Sequence, residues 1–319
     1  MTGRLVQLSS VIVDHIYRIE TVPQPGEEAV VHDDMMAAGG AFNAMVAARR
    51  CGLDVAYAGT LGTGPFSDLV AEALMDEQIE VLRLRIRDRD QGCCTVLIDR
   101  DGERSFITST HIDGSVTVQD LQRLPIAESD WSLLSGYTLS YAESADAMTA
   151  WLKTDPAIRL VFDPSPVVGR ISRESLAVAN RVALWVTANR REALLMTGAD
   201  SPENAARILA AERPDDGGAI VRAGEEGCLL ADPDGGVTHI PALEVQPIDT
   251  NGAGDAHVGA FIAMLAKGQT PDRAARVANA CAALSTTRLG PSAAPDLETT
   301  LLAMGEARQP PIRQQAVQN

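Results

Sequence analysis

Four short apolar runs, Trp131-Ser132-Leu133-Leu134-Ser135, Arg159-Leu160-Val161-Phe162, Val182-Ala183-Leu184-Trp185-Val186 and Ala219-Ile220-Val221-Arg222, recur with helix-forming stretches between most of them. Strands alternating with helices in this way predict a parallel sheet covered on both faces, an α/β fold. Toward the N-terminus, Leu5 to Val13 reads as a buried strand with Asp14 at its tip. Tyr17 to Val31 reads as an exposed excursion, and Ala41 to Cys51 as a helix reached through Gly39-Gly40 and stopped by Gly52. Asp54 to Leu61 reads as a strand and Ser67 to Gln78 as a helix. Cys94 to Ile107 alternates about Asp101-Gly102, a hairpin apart from the parallel core; with residues 15–35 it is expected to form a small β lid. Toward the C-terminus, Gly227–Ala231 and Val237–Ile240 flank Asp234-Gly235 as a second hairpin. Helices follow at Gly252–Lys267 and Pro271–Leu284, and the Gln/Pro-rich tail after Arg308 reads as loose.

The 319 residues carry 27 Lys+Arg against 43 Asp+Glu, a formal net charge of −16. That balance argues against a nucleic-acid surface or an anionic-membrane binder, both of which rely on positive fields. Only Lys153 and Lys267 are lysines and neither follows a glycine, so the chain has no Gly-Lys-Ser/Thr phosphate loop. Aromatics at 4% leave the packing to small aliphatic side chains. Five cysteines without a Cys-x-x-Cys pair argue against a disulfide framework or zinc cage and for a reducing cytoplasm. The longest stretch free of charged residues, Met35 to Ala48, is too short to span a membrane, and no signal peptide is read at the N-terminus.

The sharpest chemical signal is Asp249-Thr250-Asn251-Gly252-Ala253-Gly254-Asp255, directly before an apolar helical pattern. Glycines there let backbone N–H groups converge at a helix N-terminus, where the unpaired donors and the dipole favour an anion such as a transferring phosphoryl group. Asp255, in the first turn, is placed to take the proton of an attacking hydroxyl. A glycine turn followed by an acid favoured by the dipole alone gives the same sequence. Asn189 and Glu192, three apart after a strand, share a helix face on which an amide and a carboxylate steer hydrated magnesium and phosphates, and the same spacing forms a capping box. Gly39-Gly40 lets the backbone approach a ligand, and Asn43 and Asp14 offer groups for vicinal hydroxyls. Asp14, Asp163 and Asn189 are all read at carboxyl ends of strands, where ligands of open α/β sheets bind. Gly62-Thr63-Gly64-Pro65-Phe66-Ser67 is a poor dinucleotide fingerprint because Pro65 spoils the helix start and the third glycine is missing. The five histidines show no metal-ligand spacing, and Arg83, Arg85, Arg87 and Arg89 read as a solvated strand face.

Together, the glycine pair with Asn43, the Asn189-x-x-Glu192 pair and the Asp249–Asp255 motif resemble, in order and spacing, the ribokinase or PfkB family of carbohydrate kinases, from Asp14 to about Pro295. The resemblance implies a single ribokinase-like domain over residues 1–319. It would be a three-layer α/β/α sandwich with a mostly parallel central sheet and a β lid formed from about 15–35 and 93–112, often a dimer interface. It implies sugar-hydroxyl contacts at Asp14, Gly39, Gly40 and Asn43, a catalytic base at Asp255, and an anion hole at Gly252, Ala253 and Gly254. Asn189 and Glu192 resemble the magnesium and phosphate pair, with the magnesium held through water. Arg222, Gly224 and Gly227 resemble the nucleotide loop, and Asn279 a residue against the adenine. Asp249 and Thr250, with Ala283 to Ser292, resemble the loop that holds a monovalent cation, potassium, in some members. This sequence departs from the family in lacking the acid and last glycine of the Gly62–Ser67 segment, and in carrying Arg222-Ala223-Gly224 where Thr-Leu-Gly is usual.

The implied activity is ATP- and Mg²⁺-dependent transfer of the γ-phosphoryl group to the primary hydroxymethyl oxygen of a sugar, in a cytoplasmic homodimer paired through the lid. Asp101-Gly102-Glu103-Arg104, Ser135-Gly136-Tyr137 and His257 resemble a bacterial branch of sugar kinases. An adenosine- or guanosine-type ribonucleoside is the alternative acceptor, with Tyr17, Phe42, Phe106 or Tyr137 against its base. A non-catalytic sugar-binding relative is a third reading, against which the intact Asp255 counts.

Overall fold

The structure is a computed structural model, and it describes residues 3–306. Its core is a nine-stranded sheet built from β1 (Leu5–Gln7), β4 (Val55–Tyr57), β5 (Glu80–Val81), β8 (Trp131–Ser135), β9 (Arg159–Asp163), β10 (Trp185–Asn189), β11 (Gly218–Arg222), β12 (Cys228–Ala231) and β13 (Val237–Ile240). The order across the sheet is β13-β12-β11-β10-β9-β8-β1-β4-β5. Every pair from β5 to β11 is parallel, and the β11-β12-β13 edge is antiparallel. Side chains alternate between faces along each strand. Leu5, Val161 and Ile220 therefore join one buried cluster, and Val6, Leu160, Phe162, Ala219 and Val221 the other.

On the first face pack α1 (Ala41–Arg50), α2 (Pro65–Asp76), α8 (Ala253–Ala266), α9 (Pro271–Ser285) and α10 (Leu297–Ala303). On the second lie α3 (Val118–Gln122), α4 (Ala142–Leu152), α5 (Arg173–Val182), α6 (Arg190–Thr197) and α7 (Pro202–Ala211). The result is the expected three-layer α/β/α sandwich with a mostly parallel sheet.

A separate four-stranded sheet combines β2 (Val11–Ile19), β3 (Val31–Gly40), β6 (Cys93–Ile98) and β7 (Arg104–Ser109) in the order β3-β2-β6-β7. The β6–β7 hairpin is antiparallel, as its alternation predicts, and β2 joins β6 in parallel. This is the small β lid, and its strands reach further toward the core than 15–35. The expected single strand Leu5–Val13 is two strands that serve different sheets, and Asp14 sits inside the lid strand β2, opposite Ala37 and Cys94, not at the tip of a core strand. Ser9 and Ser10 make the break. The Ser9 Oγ accepts the Ser135 amide at 2.7 Å, and the Ser10 hydroxyl turns to the Asp113 carbonyl. Apolar residues on both sides hide that bend from a periodicity argument.

The arginine row from Arg83 to Arg89 is not a strand face, because β5 ends at Val81. Arg83 reaches Thr60 Oγ1 at 2.6 Å and Asp120 at 2.8 Å, and Arg85 reaches the Gly62 carbonyl at 2.7 Å. These side chains fasten loops. At Gly62–Ser67, Pro65 occupies the first turn of α2, and the acid that the segment lacks arrives from Asp90, which accepts the Ser67 amide and hydroxyl at 2.7 Å each. The tail after Arg308 lies outside the described residues.

The packing that positions the site is α1 against α8. Both helices present small residues to each other, and a Cβ at Gly259 would lie 2.2 Å from the Ala44 carbonyl oxygen and 2.9 Å from the Ala47 Cβ. The close approach brings Asn43 of α1 to Asp255 of α8. Gly259→Val is expected to destabilise the fold by about 1–3 kcal/mol through overpacking, read by urea denaturation, and to weaken acceptor binding as the two helix starts separate. Wild-type stability in that variant would mean that the contact is not what sets the helix spacing.

Candidate active site

The Gly252 backbone adopts the left-handed conformation (φ 73°), and a Cβ there would lie 2.0 Å from the Pro291 carbonyl oxygen, so only glycine fits. It begins α8 with no side chain capping the helix. The first turn thus offers backbone donors rather than a closed cap. Gly40 begins α1 in a similar way, at φ 62° and without a side-chain cap. The two open helix starts face each other. Asn43 Nδ2 donates to Asp255 Oδ2 at 3.1 Å, and Asn43 Oδ1 accepts from the Ser292 hydroxyl at 2.9 Å.

Asp14 comes to the same place from β2. A Cβ on Gly39 would lie 2.1 Å from the Asp14 carboxylate, so Gly39 is what leaves room for that carboxylate. Burial, with the Asp255 charge added, pushes the Asp14 carboxyl up to about 7. Asp255 is raised to about 6 by burial, although the Asn43 hydrogen bond opposes the shift. Tyr137 stands near both acids, whose charges add to burial in raising its phenol.

On the other side of α8's first turn, Arg222 at the end of β11 holds three strands' ends together. Its Nη1 donates to Asp163 Oδ2 at 2.9 Å and Thr187 Oγ1 at 2.6 Å, and its Nη2 lies 3.5 Å from Glu192 Oε2. Burial works to lower the guanidinium pKa, but Asp163 and Glu192 outweigh it and the net shift is upward. A Cβ on Gly254 would lie 3.7 Å from Arg222 Nε, which brings the guanidinium beside the glycine turn. Burial and Asp163 together raise the Glu192 carboxyl against Arg222's pull.

Asn189 and Glu192 do form a capping box. Asn189 Oδ1 accepts the Glu192 amide at 2.9 Å, and Glu192 returns to the Asn189 amide at 2.8 Å and side chain at 2.6 Å. The capping reading of the pair is the one seen here, and the same buried Glu192 carboxylate also faces Arg222. Gly224 and Gly227 bracket a one-turn 3-10 helix on the β11–β12 connection, both at positive φ. Asn279 is buried beneath that edge. Its amide donates to the Ile240 and Pro241 carbonyls at 2.9 and 3.1 Å, and its oxygen lies 3.1 Å from His257 Nε2. Burial and the Arg222 charge push His257 down to about 3, so it is neutral. Asp249 and Thr250 lie behind the glycine turn, where Arg104 of the lid reaches them.

The structure thus gathers Asp14, Gly39, Gly40, Asn43, Gly252, Ala253, Gly254 and Asp255 at one centre, and links Asn189 and Glu192 to it through Arg222. Gly224, Gly227 and Asn279 belong to the adjoining sheet edge. Thr187 and Arg104 are not among the expected site residues, and Ser292, expected only as the end of the cation-loop stretch, instead holds Asn43. Asp163 was read at a strand end without a role, and nothing in a linear sequence pairs it with Arg222. Among the described residues, no helix is long and apolar enough to cross a membrane.

The structure is a lidded α/β sandwich in which two uncapped helix starts converge on a pair of carboxylates raised above their usual range, an arrangement characteristic of an enzyme site. The chain belongs to the pfkB family of carbohydrate kinases, whose model matches residues 4–299. It is 28% identical over 299 residues to YegV, an uncharacterized sugar kinase of Escherichia coli (strain K12), covering 93% of this chain and 92% of that one. It is 31% identical over 273 residues to a fructokinase of Klebsiella pneumoniae, covering 79% of this chain and 86% of the relative. The fold matches the structure of Arabidopsis thaliana ribokinase complexed with ribose and ATP with a TM-score of 0.77 at 21% identity, over 95% of this chain and 99% of that one. The protein is a carbohydrate or nucleoside kinase, a phosphotransferase with an alcohol acceptor.

Asp14 and Asp255 both hold their protons more tightly folded than unfolded. The stability they contribute is complete below the usual carboxylate range and is lost as pH rises through about 6 and 7. Asp14→Asn is therefore expected to gain melting temperature relative to wild type as pH is raised from 4 to 8. Parallel melting curves for the two proteins across that range would show that the acids are not strained together.

Proposed function

We propose that the chain transfers the γ-phosphoryl group of ATP to the primary hydroxymethyl oxygen of a ribose-like sugar, with Asp255 as the base. The observation that carries this reading is Asp255 itself: half-buried, raised to about 6, and in the first turn of α8 directly after the open glycine turn. An acceptor hydroxyl beside Asp255 would be able to pass its proton to the carboxylate while its oxygen attacks the phosphorus in line. Asn43, itself steadied by Ser292, would hold the carboxylate's orientation. The backbone donors of Gly252, Ala253 and Gly254 would face the oxygens on which charge accumulates. Asp14, Gly39, Gly40 and Asn43 would bind the sugar's remaining hydroxyls, Asp14 as acceptor when ionised and donor when protonated. Arg222, Gly224 and Gly227 would border the nucleotide, with Asn279 supporting that edge from beneath.

Two carboxylates, Asp163 and Glu192, share one guanidinium, and their surplus negative charge suits a hydrated divalent ion. Magnesium takes few protein ligands and keeps its waters, so one or two such side chains are enough to steer it. Magnesium held there through water by Asn189 and Glu192 would supply charge neutralisation on the phosphates. Tyr137, 41% exposed beside the two acids, favours a ribonucleoside as the second acceptor class, since its ring offers a face to a base. The lid's edge strand β7 leaves Phe106 and Ile107 exposed at 61% and 63%, one on each face of the strand, apolar surface that a homodimer paired through the lid would cover in part.

ADP release measured across pentoses, hexoses and ribonucleosides tests the acceptor, and saturation by a nucleoside alone would replace the sugar reading. Asp255→Asn is expected to retain the fold by circular dichroism and to lose turnover by about 10²-fold or more, the scale of a missing general base. Turnover near wild type in that variant would remove Asp255 from the role.

A further inference from the structure

Arg104 opens the lid strand β7, yet its side chain leaves the lid. Nη2 donates to Asp249 Oδ1 at 2.6 Å, and Nη1 lies 3.5 Å from Thr250 Oγ1. The Asp249 side chain is only 9% exposed, and Arg104 is its ion-pair partner among the described residues. That carboxylate is also the hub of the loop before the glycine turn. Oδ1 accepts the Asn251 amide at 2.9 Å, and Oδ2 accepts the Gly290 amide at 3.1 Å. The Ile248 and Asp249 amides fix the same loop to the Thr286 carbonyl at 2.7 and 3.0 Å. An enclosed anion that organises the approach to Gly252–Asp255 is thus neutralised by one cation, brought from a different sheet.

These are the residues for which a monovalent cation was expected. Both Asp249 oxygens already accept donors and the Thr250 hydroxyl faces the guanidinium, so a free cation added there would meet a like charge at contact distance. The residues do not fit potassium with Arg104 in place. We propose that Arg104 is the resident cation of this loop: a positioning residue whose guanidinium does the ordering that a free monovalent ion would do. Because the lid carries it, the anion hole is fully ordered when the lid lies against the core. The inference rests on the kinase reading of the same site.

The test follows ADP release and melting temperature for wild type and Arg104→Ala while potassium chloride replaces tetramethylammonium chloride at constant ionic strength. Wild type is expected to show a flat response in both. Arg104→Ala should lose about tenfold or more in kcat, the scale of a broken charge-assisted contact, and potassium should restore most of that loss and raise the melting temperature. Wild type activated severalfold by potassium would overturn the proposal, as would an Arg104→Ala protein with unchanged kcat, or with a loss that potassium restores in neither readout. Wild type inactive on every acceptor would count against the kinase reading alone, and the melting titration would still decide the role of Arg104.

Discussion

The site buries more negative charge than positive. Asp14, Asp163, Glu192 and Asp255 converge with Arg222 as the guanidinium among them, in surroundings where an uncompensated ion costs several kcal/mol. Three devices keep that arrangement tolerable. Hydrogen bonds hold the carboxylates, as Asn43 does for Asp255; the helix starts of α1 and α8 turn their positive ends toward the acids; and Asp14 and Asp255 keep their protons well above the usual carboxylate range. The third is a reserve of strain. A ligand that supplies hydrogen-bond donors or positive charge relieves it, so the binding of such ligands and the folding of the chain draw on the same electrostatic imbalance.

How the helices begin follows from what each start has to do. Thr117, Ser172, Ser201, Thr270 and Asp296 cap α3, α5, α7, α9 and α10 with their own side chains. The starts of α1 and α8 use glycines at positive φ and no side-chain cap. α2 also starts at such a glycine, Gly64, but there Asp90 takes the Phe66 and Ser67 amides, and α4 starts uncapped at Tyr141. A capping serine would occupy the very donors that an anion needs. The exception at the site is α6, whose start is closed by the Asn189–Glu192 box. There the side chains themselves, rather than the bare amides, face Arg222. One local pattern therefore closes a helix start and presents a carboxylate to Arg222.

Elements whose signal is local were legible before the structure: the parallel core from four spaced apolar runs, the lid hairpin from Asp101-Gly102, and the helix at Ala253 from its glycine turn. Asp14 was misplaced because two serines end one strand and start another inside a continuous apolar run. The arginine row is exposed from Arg85 on, as expected, but it is no strand face, because alternation in sequence carries no information about the loops at Thr60 and Gly62 that Arg83 and Arg85 fasten. The partners of Arg104 and Ser292 are invisible in the sequence for a related reason. Arg104 acts on a residue 145 positions away and Ser292 on one 249 positions away, and only the closure of the fold makes those pairs.

The scarcity of lysine acquires a physical meaning in this light. Lys267 Nζ donates to the Cys51 carbonyl at 2.6 Å, where α1 ends, and Lys153 pairs with Glu174 on the surface. Neither approaches the glycine turn, and Arg222 is already shared between two acids. Positive potential at the centre must then come from backbone amides and from whatever cation accompanies the nucleotide, both of which are fixed in direction or arrive with the substrate. A chain of net charge −16 can handle an anionic donor on those terms. Its net charge repels anions at long range, and a molecule seated against the two helix starts would meet the opposite sign.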